Sequence, residues 1–233
     1  MATKTNTVLI TGSSRGIGLA LATYYQAAGW NVIAAARNPA NADELKALNV
    51  YKTVQLDVSD EASILRAAKE LEGEAIDVLI NNAGIATGNT VSKVTKEELL
   101  QVFEVNAVGP FLISRAFLPH LKAAVAAKGS ATIAQISSGM GSITLSTGDM
   151  LFPAYRTSKT ALNMLNNQIA HEYKSEKITA IVVCPGFVDT DMNHHTGTLK
   201  PSESAAKIAQ NISNATLENT GKFFNDKIEE YPW

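Results

Sequence analysis

A single cysteine, Cys184, is all that this 233-residue chain carries. An internal disulfide framework is therefore excluded, and the isolated thiol reads as a small buried apolar residue. No uninterrupted apolar stretch approaches the ~18 residues of a membrane-spanning helix. The opening residues, MATKTNTVLITG, hold no apolar h-region before the first strand, so no signal peptide is expected. A cytoplasmic protein with no membrane partner is the resulting expectation. Neither sign of charge dominates: 20 Lys and Arg face 22 Asp and Glu, a formal net charge of −2. That excludes the basic field of a nucleic-acid-binding surface. No His or Cys pair has metal-ligand spacing with a third partner, so no metal is expected. His194 and His195 sit in a polar loop where a substrate contact is the alternative to simple exposure, whereas His120 and His171 read as ordinary surface or packing residues. Repeats, low-complexity tracts and linkers are absent, and residues 1–233 read as one domain.

What the chain does have is a core. Apolar residues make up 45% and charged residues 18%. Short apolar runs at 8–10, 32–36, 51–56, 78–81, 132–137, 179–184 and 222–224 alternate with helical patterns at 16–28, 42–48, 60–71, 95–127, 155–175 and 202–214. Asp60 can cap one helix, and Thr95 with Glu98 has the spacing of a capping box. Alternating strands and helices predict parallel pairing through right-handed crossovers. The expected fold is α/β, a Rossmann-type doubly wound parallel sheet with helices on both faces. The polar segment 189–201, after a strand end, is expected to be the most mobile loop.

Two local patterns carry chemistry. Gly12, Gly16 and Gly18, in TGSSRGIG, lie between the first strand and first helix. Glycine permits a tight turn and close backbone approach, and the helix N-terminus offers free N–H groups to a pyrophosphate. The second strand ends in Ala36 and Arg37, where a carboxylate would repel a 2′-phosphate. Arg37, with Arg15 in the glycine turn, favours a phosphorylated ribose, so NADP(H) is the expected cofactor. Tyr155 and Lys159 share one helix face at i and i+4. A lysine beside a tyrosine favours the phenolate, which suits acid–base work on an alcohol or carbonyl oxygen. Ser138 precedes them. Its neighbour Ser137 is the rival, since adjacent strand residues face opposite ways.

These motifs, with LDV at 56–58, NNAG at 81–84, EVNAVG around Asn106, YRTSK at 155–159 and PGFVDTDM at 185–192, resemble the short-chain dehydrogenase/reductase family over nearly the whole chain. The tail GKFFNDKIEEYPW and SSGMGSI are similar to the C-factor/sniffer-type carbonyl reductases within it. The resemblance implies an NADP(H)-dependent oxidoreductase interconverting a small-molecule carbonyl and alcohol. It implies Tyr155 as proton donor, Lys159 as the residue that lowers the tyrosine pKa and holds the nicotinamide ribose, and Ser138 as a hydrogen-bond donor to the substrate oxygen. Asn106 would hold a water through its main-chain carbonyl. Cofactor contacts would come from Gly12, Ser14, Arg15, Gly16, Ile17, Gly18, Arg37, Asp57, Val58, Asn82, Ala83 and Gly84, and from Tyr155, Lys159, Pro185, Gly186, Val188 and Thr190. The family's habit of pairing subunits through two long helices implies a homo-dimer or homo-tetramer. A cofactor-sensing or signalling protein without turnover is the alternative. The 17-residue separation of Ser138 and Tyr155 exceeds the family's usual gap, so the 139–153 loop is enlarged and should govern substrate choice. Leu145, Met150, Leu151, Phe152 and Phe187 suggest an apolar pocket or, equally, loop packing. Pro110 lies four residues after Asn106 and cannot donate to its carbonyl. It either frees that oxygen or simply kinks the helix.

Overall fold

The computed structural model describes residues 5–148 and 151–233. Seven strands, β1 (Thr7–Thr11), β2 (Asn31–Ala36), β3 (Lys52–Gln55), β4 (Val78–Asn81), β5 (Ala131–Ile136), β6 (Ile178–Val183) and β7 (Phe223–Phe224), form one sheet in the order β3-β2-β1-β4-β5-β6-β7. Every pairing is parallel. Among the described residues eight α-helices connect them: α1 (Gly16–Ala27), α2 (Asp43–Leu48), α3 (Glu61–Glu70), α4 (Lys96–Phe103), α5 (Gly109–Ala116), α6 (Leu118–Lys128), α7 (Pro153–Tyr173) and α8 (Pro201–Ser213). Among the described residues no helix is long and apolar enough to cross a membrane.

The sheet is covered on both faces, which is why its strands read as unbroken apolar runs. Period-2 alternation sorts β1 between two cores. Leu9 joins Ile33, Leu79, Ile133 and Phe117 on one face, while Val8 and Ile10 join Leu21, Ile80 and Ile208 on the other. Local signals set the helix ends. The Asp60 carboxylate accepts from Ala62 N at 2.9 Å, and Thr95 with Glu98 forms the reciprocal capping box.

The 95–127 region differs from a single long helix. Between α4 and α5 the chain widens into a π turn, Glu104–Val108, in which Gly109 N reaches back to Glu104 O. Pro110 supplies the cause, since it lacks the N–H that the regular ladder needs at that step. Gly109 lies so close to the Val58 carbonyl that no side chain could stand there. Segment 189–201 is also more closely tied than its polarity suggests: Asp189 N donates to Leu199 O at 2.8 Å and Leu199 N to Phe187 O at 3.0 Å. β7 is a residue shorter than expected and β3 loses Tyr51 and Leu56.

Candidate active site

Every candidate residue stands on or beyond the carboxyl end of a strand, or on a helix facing that edge, the usual place for ligands in open α/β sheets. After β1 the glycine turn is stitched to the loop after β4. Thr11 Oγ1 accepts from Asn82 N (3.0 Å) and Ala83 N (3.1 Å), while Asn82 Nδ2 donates to Thr11 O (2.9 Å). Gly12 adopts a left-handed φ of +68° with the Ala83 backbone against it, and a Cβ at Gly18 would overlap the Gly12 carbonyl. Both glycines are needed for that approach. Ser14 and Ile17 flank the turn half-buried. Helix α1 starts with no side-chain cap and no acidic residue in its first turn, so its N-terminal N–H groups and dipole remain available to an anion. That fits the pyrophosphate of a dinucleotide.

At the adenosine end the arrangement is less uniform. Arg37 is exposed just beyond β2. Arg15, in contrast, has a partner from beyond β6: its guanidinium donates to Asp191 Oδ2 at 3.0 Å. The Asp57 carboxylate accepts from Ser59 N (3.0 Å) and Ser59 Oγ (2.7 Å), which shapes its own turn, and Val58 is buried. On the opposite wall, Thr190 faces Gly16, Gly186 is left-handed at φ +84°, and the Pro185 carbonyl accepts from Ser204 Oγ at 2.7 Å. Val188 is buried, with its carbonyl accepting from Asn193 Nδ2 at 2.8 Å.

The four residues of the expected chemical centre converge. Lys159 Nζ donates to Ile136 O at 2.8 Å and lies 5.7 Å from the Tyr155 ring centroid. Gly84 leaves open the space beside that ammonium. Ser138 Oγ accepts from Met140 N at 3.1 Å, leaving its hydrogen to be donated, and its side chain hydrogen-bonds the Tyr155 phenol. Ser137 turns the other way and donates to Asn163 Oδ1 at 2.7 Å inside the molecule. The amide of Asn106 joins three segments: Oδ1 accepts from Ile85 N (2.9 Å), and Nδ2 donates to Ile85 O (2.8 Å) and Ser158 Oγ (3.0 Å). The π turn thus holds the NNAG loop against the helix bearing Tyr155.

Electrostatics depart from the sequence expectation of a lowered phenol. Burial pushes Tyr155 up to about 12, with the Ser138 hydrogen bond acting against it. Burial also brings Lys159 down to about 8. Desolvation disfavours the charged form of each, the phenolate of Tyr155 and the ammonium of Lys159.

Three contacts were not foreseen. The Cys184 thiol accepts from Gly139 N at 3.3 Å, directly behind Ser138. Tyr231, from the far end of the chain, lies over Gly139. His195 bridges Asp189 (Nδ1, 2.7 Å) and Asp191 (Nε2, 3.0 Å), completing a chain of charges to Arg15. Sequence proximity offered a signal only for the last. His194 is exposed with left-handed φ, and among the described residues no group of His, Cys, Asp or Glu is placed to hold a metal. Leu145, Leu151 and Phe187 are exposed, Phe152 is half-buried, and Met150 lies outside the described residues.

A sequence profile of the short chain dehydrogenase family matches residues 6–200. The chain belongs to the short chain dehydrogenase family. It is 35% identical to the short chain dehydrogenase gsfK of Penicillium aethiopicum, covering 97% of this chain and 99% of that protein. The NADPH-bound carbonyl reductase from chicken fatty liver superposes with a TM-score of 0.92 at 34% identity, covering 99% of this chain and 100% of the other. Carbonyl reductase Sniffer of Drosophila melanogaster gives 0.93 at 31% identity, again covering 99% and 100%. The chain is accordingly an oxidoreductase of the short chain dehydrogenase type, a family that uses NAD(H) or NADP(H).

Proposed function

We propose that this protein is an NADP(H)-dependent carbonyl reductase acting on a small ketone or aldehyde, with Tyr155 as general acid. The observation that carries this reading is the convergence of Ser138, Tyr155 and Lys159 beside a glycine turn whose helix end suits a pyrophosphate. Bound NADPH supplies the hydride. Ser138 turns its hydroxyl hydrogen from the phenol to the carbonyl oxygen and orients it. Tyr155 gives its proton to that oxygen as negative charge develops there. A desolvated phenol near 12 keeps its proton at neutral pH, which is the form a reductase needs. Lys159 holds a cation beside the phenolate that remains, and its pKa near 8 lets it exchange protons close to neutrality. Asn106 positions the pair by fastening Ile85 to Ser158. Arg37, exposed beyond β2, would pair with a ribose 2′-phosphate, and Ala36 brings no competing carboxylate.

The test is to follow NADPH absorbance with ketones, aldehydes and quinones for wild type and Tyr155→Phe. Wild type should turn over at least one class. The phenylalanine variant should lose about 10²–10⁴-fold in kcat, the usual worth of general acid–base catalysis, while binding NADPH as before. More than about a tenth of wild-type turnover in that variant contradicts the role of the phenol.

A further inference from the structure

Residues 223–233 double back on themselves. After β7 a turn built on Asn225, whose Oδ1 accepts from Lys227 N (2.8 Å) and Glu229 N (3.0 Å), reverses the chain. Tyr231 N then donates to Phe223 O at 2.7 Å, and Lys222 pairs with Glu230 at 2.7 Å. Phe223 is fully buried and anchors two aromatics: Tyr231 meets it edge-on at 5.2 Å and Trp233 stacks on it at 5.5 Å.

Both aromatics belong to residues that grip the segment following Ser138. Thr144 N donates to the main-chain oxygen of Trp233 at 2.8 Å. Tyr231 covers Gly139 so closely that an added Cβ there would stand 2.9 Å from its hydroxyl and 3.1 Å from its Cε1. From the opposite side the Cys184 thiol takes the Gly139 N–H at 3.3 Å. The peptide next to Ser138 is therefore held between Cys184 and Tyr231, and the start of the enlarged loop is tied to the tail by Trp233. Gly139 has no left-handed φ, so its lack of a side chain answers to the tyrosine ring and not to backbone strain.

We propose that the 229–233 tail is a positioning element of the active site, in which Tyr231 and Trp233 fix the 138–144 backbone and so fix where Ser138 presents its hydroxyl. The inference rests on the reductase reading for its kinetic consequence and on the geometry alone for its structural one. A hydroxyl displaced by about 1 Å can cost on the order of 10²-fold in rate, so small losses of grip are measurable.

The experiment is a double-mutant cycle between Gly139→Ala and Tyr231→Ala, with Tyr231→Phe as the mild control. Tyr231→Ala should lower kcat by on the order of ten- to a hundredfold, with NADPH affinity by fluorescence titration unchanged. Tyr231→Phe keeps the ring and should restore kcat to near wild type. Gly139→Ala should be costly in wild type and much less costly once the ring is removed. In parallel, Trp233→Ala should accelerate amide hydrogen exchange at Thr144. Equal cost of Gly139→Ala in both backgrounds, or a Tyr231→Phe variant as slow as Tyr231→Ala, overturns the positioning role of the ring. Unchanged exchange at Thr144 overturns the grip by Trp233. If wild type reduces no carbonyl compound, the reductase reading fails, and exchange at Gly139 and Thr144 still decides whether the tail holds this segment.

Discussion

Lys159 is buried and Tyr155 half-buried beside it, and desolvation opposes the charge of each. The lysine is the group that titrates in an accessible range. Its pKa is lowered to about 8, so it is a cation below that value and neutral above it. A neutral amine no longer stabilises the phenolate formed when Tyr155 gives up its proton. The kcat/KM for reduction, measured with NADPH saturating, should therefore be level at neutral pH and fall as pH rises past about 8. A profile that stays level well above that point removes Lys159 from this role. Cofactor choice is also decided by single side chains. Under the NADP(H) reading proposed above, Arg37, exposed beyond β2, reads the 2′-phosphate, while Arg15 pairs with Asp191. Ala36→Asp combined with Arg37→Ile should weaken NADPH by roughly 10- to 150-fold, the worth of a charge-assisted hydrogen bond, and bring NADH to parity or better. Titration of both cofactors checks this. Wild-type protein that binds NADH as tightly as NADPH contradicts it.

The loop beyond β6 and the glycine turn beyond β1 are joined by Arg15, Asp191, His195 and Asp189. Its central histidine titrates upward from 6.5, chiefly through its hydrogen bond to Asp189 and then that to Asp191. A raised pKa means that the folded loop binds the proton more tightly than the unfolded one. The stabilisation is thus complete below 6.5 and is lost as pH rises through the raised value. Limited proteolysis within 189–200 should be slower well below 6.5 than well above it, and His195→Gln should abolish the difference. Equal pH dependence in wild type and variant excludes the histidine. The helix and strand positions around this loop were largely legible in the sequence, because strands covered on both faces show as apolar runs and Asp60, Thr95 and Glu98 announce their helices. The π turn was only half legible. Pro110 marks the missing donor, but no local pattern says whether the chain answers by kinking or by widening into the Glu104–Val108 turn. The motif residues came together as their spacing suggested. The Arg15–Asp191 pair, 176 residues apart, and the Tyr231–Gly139 contact have no local pattern to betray them. The lowered phenol was misread because proximity to a lysine is visible in a sequence and desolvation is not.

Across the whole molecule, one sheet separates two apolar layers, with Phe117 buried in the first and Trp30 packed against the second. We infer that both layers melt as one unit, since β1, β2, β4, β5 and β6 each contribute residues to both. Phe117→Ala should cost about 3–5 kcal/mol, the range for removing a buried aromatic. In a Trp233→Phe background Trp30 is the remaining tryptophan. Its denaturation midpoint should drop together with that seen by circular dichroism. A Trp30 signal that keeps its midpoint while circular dichroism shifts shows that the faces unfold separately. The far rim of the sheet bears on how the protein behaves among copies of itself. β7 pairs with only Val182 and Val183, and elsewhere the rim of β6 is finished by Gly221 N on Ala180 O (2.7 Å) and by the Thr220 hydroxyl, which accepts from Ala180 N (2.9 Å). The outer side of β7 is occupied by the returning tail, through Tyr231 N and the antiparallel bridge of Phe224 with Glu230. A phenylalanine pair on an open rim would invite strand addition by a neighbouring molecule. By folding its own last residues onto that rim, with Lys222 and Glu230 as charges beside it, the chain closes the growth point and keeps its most adhesive dipeptide from templating aggregation.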